Sequence, residues 1–211
     1  MSGSKPLSIE DINAIALELT TARDRAAFLL SCGCGLRSAT LLSLTLAQVL
    51  DREHCLTGYI EIPRVHMKGK RSAHRVEIPP RALRALREWI AAHPAPHRGA
   101  PLFPSERSQE QPITTRHWRR IFGAACRAAG IHGRVSPHSA RKFFAHAIYE
   151  ATEKDIQLTT RALGNRSPMS TMHYLDFGQR RIAHATLTIF DEAAQLTIEG
   201  SHAVQNSSSP N

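Results

Sequence analysis

In His138-Ser-Ala-Arg141 an imidazole and a guanidinium stand three residues apart. On a helix that spacing puts both side chains on one face. Ser136-Pro137, just ahead, supplies an N-cap and a first-turn proline, so a helix begins there. Free N–H groups and the partial positive charge at such an end attract phosphate. The pair therefore suits anion binding with a titratable group alongside. Taken alone it is equally a pair of solvated surface groups, the commoner fate of His and Arg near a helix start. The four cysteines, Cys32, Cys34, Cys55 and Cys126, lack the paired spacing of a zinc site and read as reduced thiols.

The elements that must position these groups are mostly helical. Ser8-x-x-Asp11, Thr21-x-x-Asp24 and Thr152-x-x-Asp155 carry capping-box spacing and mark three helix starts. The second runs into Gly33 and Gly35, a natural stop, and residues 36–46 read as another short helix. Residues 59–63 and 75–79 alternate as strands and flank the basic turn RVHMKGKRSAH, giving one clear hairpin. Helices are expected over 80–93, where Leu83, Leu86 and Ile90 make an apolar stripe, and over 115–129. The Pro-rich and polar stretch 94–112 reads as loop. Beyond the His138 helix, short helices are expected near 154–163 and 168–174, then one more through Leu196 and a polar, disordered tail. The fold class is mainly α with a small antiparallel β-hairpin (α+β). Residues 1–196 are expected to form one domain and 197–211 the tail.

Composition sets the partner class. The 211 residues carry 27 Lys plus Arg against 18 Asp plus Glu, a formal charge of +9, and 42% are hydrophobic. A core can form, and the positive balance favours a polyanion, although many basic proteins bind none. The N-terminus lacks a signal-peptide layout and no stretch suits a membrane span, so a cytoplasmic location is expected.

The order of motifs narrows the choice further. Gly35-Leu36-Arg37, followed by Leu41, Leu42 and Leu44, comes first. The hairpin with Lys68 follows, closed by Arg75-Val-Glu-Ile-Pro79. Pro101-Leu-Phe-Pro104, the His138–Arg141 helix, Leu163-Gly-Asn165 and Tyr174 complete the series. This succession, from about residue 8 to 178, resembles the tyrosine recombinases, the family of phage integrases, Xer-type resolvases and fimbrial invertases. Each motif is loose alone, and the specificity lies in their order and spacing.

The resemblance implies a catalytic domain that breaks and rejoins double-stranded DNA, with neither metal nor cofactor. Arg37 and Arg141 would hold the non-bridging oxygens of one phosphate, for which the planar guanidinium fork is suited. Lys68, with Lys70 as the alternative, would protonate the leaving 5′-oxygen. His138 would act as acid or base, and Tyr174 as nucleophile, forming a 3′-phosphotyrosyl bond. Tyr59 and Tyr149 are expected to be structural. A homo-tetramer on two DNA sites is implied, with accessory DNA-bending proteins as further partners and a prokaryotic nucleoid or mobile element as the setting. Segment 179–196 would either pass between protomers or pack on its own domain.

Three positions depart from the family pattern. Asn165 stands where histidine, or sometimes tryptophan, is usual. Thr40 replaces a common glutamate, and Lys142 replaces a common second histidine. Asn165 can still donate a hydrogen bond to phosphate but carries no charge, and neighbouring His173 is a candidate substitute. Most relatives also carry an N-terminal DNA-clamping domain, whereas the pattern here starts near residue 8, as in single-domain members. Two rival readings follow: a DNA-binding regulator that kept the fold and lost efficient catalysis, and a type I topoisomerase.

Overall fold

In the computed structural model, residues 4–62, 74–94 and 97–175 are described. They belong to one compact unit, Met1–Leu175. Helix α1 (Ile9–Glu18) begins at a reciprocal box in which the Ser8 and Asp11 side chains each accept the other's backbone N–H at 3.1 Å. Helix α2 (Ala22–Cys34) is capped from one side only, with the Thr21 hydroxyl accepting the Asp24 N–H at 3.1 Å. It is buried along most of its length and is the central helix of the fold. It stops at Gly35, whose φ of 61° is left-handed and where any Cβ would run into the Phe144 ring. Only glycine meets both demands.

After a five-residue helix α3 (Ser38–Leu42) and a 3-10 turn at Leu46–Gln48, strands β1 (Tyr59–Ile62) and β2 (His74–Glu77) pair antiparallel with Ile60 opposite Val76. The single helix expected over 36–46 is thus two short pieces, because Thr45 and Gln48 close their own capping box and restart the chain. Helix α4 (Pro80–Ala91) packs on α2, and Trp89 Nε1 donates to Leu102 O at 2.7 Å.

The stretch expected to be all loop holds a second hairpin, β3 (Pro104–Ser105) with β4 (Ser108–Pro112). Its strand SQEQP is polar on both faces, so no alternation of apolar residues announces it. Helices α5 (Thr115–Ala128) and α6 (Pro137–Ala151) fall where expected. At the end of α6, however, the Thr152 box does not form. The Thr152 hydroxyl turns back to Ile148 O at 2.8 Å, and Asp155 alone caps α7 (Ile156–Ala162) through the Gln157 and Leu158 N–H groups. Helix α8 (Pro168–Met172) starts on Ser167 and packs on α7. The mainly helical class with small antiparallel sheets stands, with two hairpins in place of one among the described residues.

The main core joins α2 to α5 through Phe28 and Phe122, whose ring centroids are 5.9 Å apart, with Trp118 edge-on to Phe122 at 6.3 Å. Arg23 fixes the start of α2 to the second hairpin. Its guanidinium donates to Asp24 Oδ1 at 2.8 Å, Pro104 O at 3.0 Å and Glu106 Oε1 at 3.2 Å. Arg23 and Asp24 are both buried, so removing one partner strands the other's charge. Arg23→Ala is expected to destabilise the fold by about 3–5 kcal/mol in denaturant unfolding. Loss at exposed Glu106 should cost no more than about 1 kcal/mol. Equal effects would contradict this assignment of the buried pair.

Candidate active site

The site is assembled where three chain reversals meet: the end of α2, the start of α6 and the α7–α8 turn. Ser136 opens α6 with its hydroxyl accepting from the His138 N–H, and its own N–H donates to Ser139 Oγ at 3.2 Å. Pro137 at the first helical position loses no hydrogen bond there. This start sets His138 and Arg141 on neighbouring lines of the helix, but their surroundings differ. Arg141 is buried at 2% exposure, and His138 keeps an exposed flank.

Arg141 is held by carbonyls that helix ends leave free. One Nη donates to Gly35 O, just past the end of α2, and the other to Leu163 O at the end of α7, at 3.0 Å. The second also reaches Asn165 Oδ1 at 2.8 Å. Its buried Nε–H has no partner among the described residues. Burial pushes Arg141 down to about 10, with Tyr174 pulling it up and the nearby Arg37 charge pressing it further down. It remains charged at physiological pH.

Arg37 is exposed, N-caps α3 and extends Nη2 to the same Asn165 Oδ1 at 2.6 Å. One neutral amide oxygen therefore takes two guanidinium donors. Guanidinium groups only donate, so the amide must present its oxygen to them. Its Nδ2 turns the other way and donates to Thr171 Oγ1 at 2.9 Å.

Tyr174 lies 7% exposed in a small satellite core with Ala145, Leu163 and Leu175, against which Phe144, Tyr149 and Ile156 pack. Arg141 Cζ stands 4.9 Å from the Tyr174 ring centroid. The His138 and Tyr174 ring centroids are 4.8 Å apart. Burial, then the charges of Arg141, Lys142 and Arg37, hold the His138 imidazole below its ordinary range. It is therefore neutral, and able to accept a proton, near pH 7.

Thus Arg37, His138, Arg141, Asn165 and Tyr174 are brought together. Lys68 and Lys70 lie outside the described residues, as do segment 179–196 and the tail. His173, the candidate substitute for a missing histidine, is exposed at the end of α8 while Tyr174 beside it is buried. Tyr59 sits in β1 under the Arg75 guanidinium at 3.7 Å, and Tyr149 packs against the satellite core. Sequence reasoning missed Thr171 and Thr160, whose buried hydroxyls support Asn165. A threonine six residues after Asn165 and another five before it carry no signal of that role. Among the described residues, no group of three or more His, Cys, Asp or Glu could hold a metal ion, and no helix is long and apolar enough to cross a membrane.

The family model described as "Phage integrase family" matches residues 6–180. The chain belongs to the phage integrase family. Tyrosine recombinase XerC of Ralstonia pickettii is 29% identical over 207 residues, covering 90% of this chain and 60% of the relative. Tyrosine recombinase XerD of Pseudomonas putida is 32% identical over 192 residues, covering 84% and 59%. The chain thus spans about three-fifths of the length of these relatives. In fold, this phage integrase family member is similar to the XerH site-specific recombinase in its post-cleavage complex with palindromic difH substrate. The TM-score is 0.68 at 19% identity, over 90% of this chain and 54% of that one.

A titration of the His138 ring by NMR should show a midpoint below the ordinary value of about 6.5, and Lys142→Gln should raise it. A depressed folded-state midpoint means the unfolded chain takes the proton first as pH falls. This group's contribution to stability is therefore intact above the ordinary imidazole value and is lost as pH drops toward the folded midpoint. A midpoint at or above the ordinary value would contradict the packing described.

Proposed function

We propose that this chain carries the catalytic centre of a site-specific DNA recombinase that cleaves and rejoins strands through a 3′-phosphotyrosyl bond at Tyr174. The observation that carries this reading is the joint placement of Arg37, Arg141, His138 and Tyr174 around one point. The relatives named tyrosine recombinase support it.

In this reading, the Tyr174 oxygen attacks the scissile phosphorus and passes its proton to neutral His138. The bond from phosphorus to the 5′-oxygen breaks, and its electron pair leaves with that oxygen. Lys68, or Lys70, delivers the proton the leaving oxygen needs. Arg37 and Arg141 stabilise the added charge on the non-bridging oxygens, which is greatest in the transition state. Asn165 positions the two guanidiniums through its amide oxygen. Because one ester replaces another, the 5′-hydroxyl can reverse the step and rejoin a strand. Assembly as a homo-tetramer on two DNA sites, with accessory DNA-bending proteins, belongs to the same proposal. So does a cytoplasmic setting on nucleoid or mobile-element DNA. Residues 1–196 would form the catalytic domain and 197–211 a disordered tail.

Double-stranded DNA is the proposed partner. The XerH recombinase of similar fold is bound to its difH substrate. On this chain, a cavity of about 800 Å³ between the second hairpin and α5 is lined by Arg107, Arg116, His117 and Arg120, with Glu106 the acidic member. Such a groove suits phosphate backbone, where each neutralised phosphate releases counterion.

A second reading, a regulator that binds DNA without cutting it, draws on the neutral Asn165 that occupies both arginines. A duplex nicked beside the scissile phosphate separates the two. The recombinase reading expects a covalent adduct that Tyr174→Phe abolishes. Binding without adduct would favour the regulator, and an adduct persisting in Tyr174→Phe would displace the nucleophile. Replacing Arg116 or Arg120 with Gln should each flatten the log-log salt dependence of DNA binding by about one. Unchanged slopes would remove that groove from the DNA surface.

A further inference from the structure

We propose that Thr171, backed by Thr160, is a positioning residue that fixes the orientation of Asn165 and couples the arginine pair to the tyrosine-bearing turn. The inference rests on Tyr174 being the nucleophile, but the hydrogen bonds that motivate it stand independently. Thr171 is 0% exposed and Thr160 7%. The Thr160 hydroxyl lies 2.6 Å from Ile156 O and 2.9 Å from Thr171 Oγ1. A hydroxyl has one proton to give. Thr160 gives its proton to the carbonyl, which cannot donate, so the proton between the two hydroxyls is that of Thr171. Thr171 Oγ1 then has only lone-pair capacity left, and it accepts the Asn165 Nδ2–H at 2.9 Å.

The chain of donors thus runs one way: Asn165 amide to Thr171, Thr171 to Thr160, Thr160 to the α7 backbone. Its direction holds the Asn165 amide with nitrogen toward Thr171 and oxygen toward Arg37 and Arg141. The Thr171 backbone takes part as well, because its carbonyl accepts the Tyr174 N–H at 2.8 Å. One residue therefore binds the group that gathers the arginines and the turn that presents the phenol. Without the Thr171 hydroxyl, a buried amide donor loses its partner and the amide is free to flip, setting N–H groups against guanidinium N–H groups.

The test compares Thr171→Val, which removes the hydroxyl at nearly constant shape, with Thr171→Ser, which keeps it. Three readouts on the full chain are used: single-turnover adduct formation on the nicked duplex, affinity for the same uncleaved duplex, and hydrogen exchange of the Asn165 side-chain amide by NMR. We expect Thr171→Val to slow adduct formation about 10- to 100-fold, the span of one buried donor left unsatisfied. Duplex affinity should stay within about twofold, since no phosphate contact is removed. Thr171→Ser should recover most of the rate. The Asn165 amide should exchange slowly in the parent and in Thr171→Ser, and fast in Thr171→Val. Thr160→Val should show the same pattern more weakly. Unchanged adduct rate or unchanged amide exchange in Thr171→Val would overturn the proposal, as would equal loss in Val and Ser variants accompanied by lowered thermal stability. If the parent forms no adduct while the amide exchange behaves as expected, the fault lies with the nucleophile assignment and not with the hydrogen-bond chain.

Discussion

Two positive charges drawn to one uncharged oxygen are the constraint around which this structure is organised. Arg37 and Arg141 repel each other, and among the described residues nothing carrying negative charge separates them in the contacts they make. What holds them is a set of dipoles: the Asn165 amide oxygen, and the unpaired carbonyls at the ends of α2 and α7. Each is fixed by the fold before any ligand arrives. Gly35 turns the α2 end so that its carbonyl points inward, and Gly164, at φ 63°, does the corresponding job after α7. Dipoles that hold cations without neutralising them leave a net positive site, as the proposed phosphate chemistry requires.

The same constraint explains the state of His138. Partial burial penalises the charged imidazole most, and the positive charges of Arg141, Lys142 and Arg37 add to the penalty. The imidazole is therefore kept in the form that can take a proton from a phenol. Tyr174 is packed against His138 on one side and the Arg141 guanidinium on another, with the apolar satellite core around it. The arginine pair and the phenol thus meet at the α7–α8 turn.

Much of this was legible in the sequence, for identifiable reasons. Ser136-Pro137 fixed the start of α6 because cap chemistry and proline geometry agree there. Gly35-Leu36-Arg37 marked the end of α2 because few residues other than glycine tolerate a left-handed turn. The motif order then pointed to Arg37, His138, Arg141, Asn165 and Tyr174, which the structure brings together, and to Lys68, which lies outside the described residues. Other features were hidden. The i, i+3 spacing put His138 and Arg141 on one face, but the boundary between core and solvent passes between them, and spacing alone cannot place that line. The β3–β4 hairpin has polar strands with no alternation to read. Thr152-x-x-Asp155 fits the capping-box pattern, yet the left-handed residues Glu153 and Lys154 separate the two helices and leave Asp155 to cap alone. The support from Thr160 and Thr171 depends on burial and on which proton each hydroxyl gives, neither of which a string of residues reveals.

The most direct test of the central constraint is the thermal unfolding midpoint of Asn165→Asp at neutral pH. A carboxylate in nearly the same shape offers the two guanidiniums a charged acceptor in place of a neutral one, worth about 1–2 kcal/mol more. The expected midpoint is higher by several degrees, about 2–4 °C per kcal/mol for a chain of this size. A midpoint equal to or below that of the parent protein would mean that Arg37 and Arg141 do not converge on this side chain, and the architecture proposed for the site would fail with it.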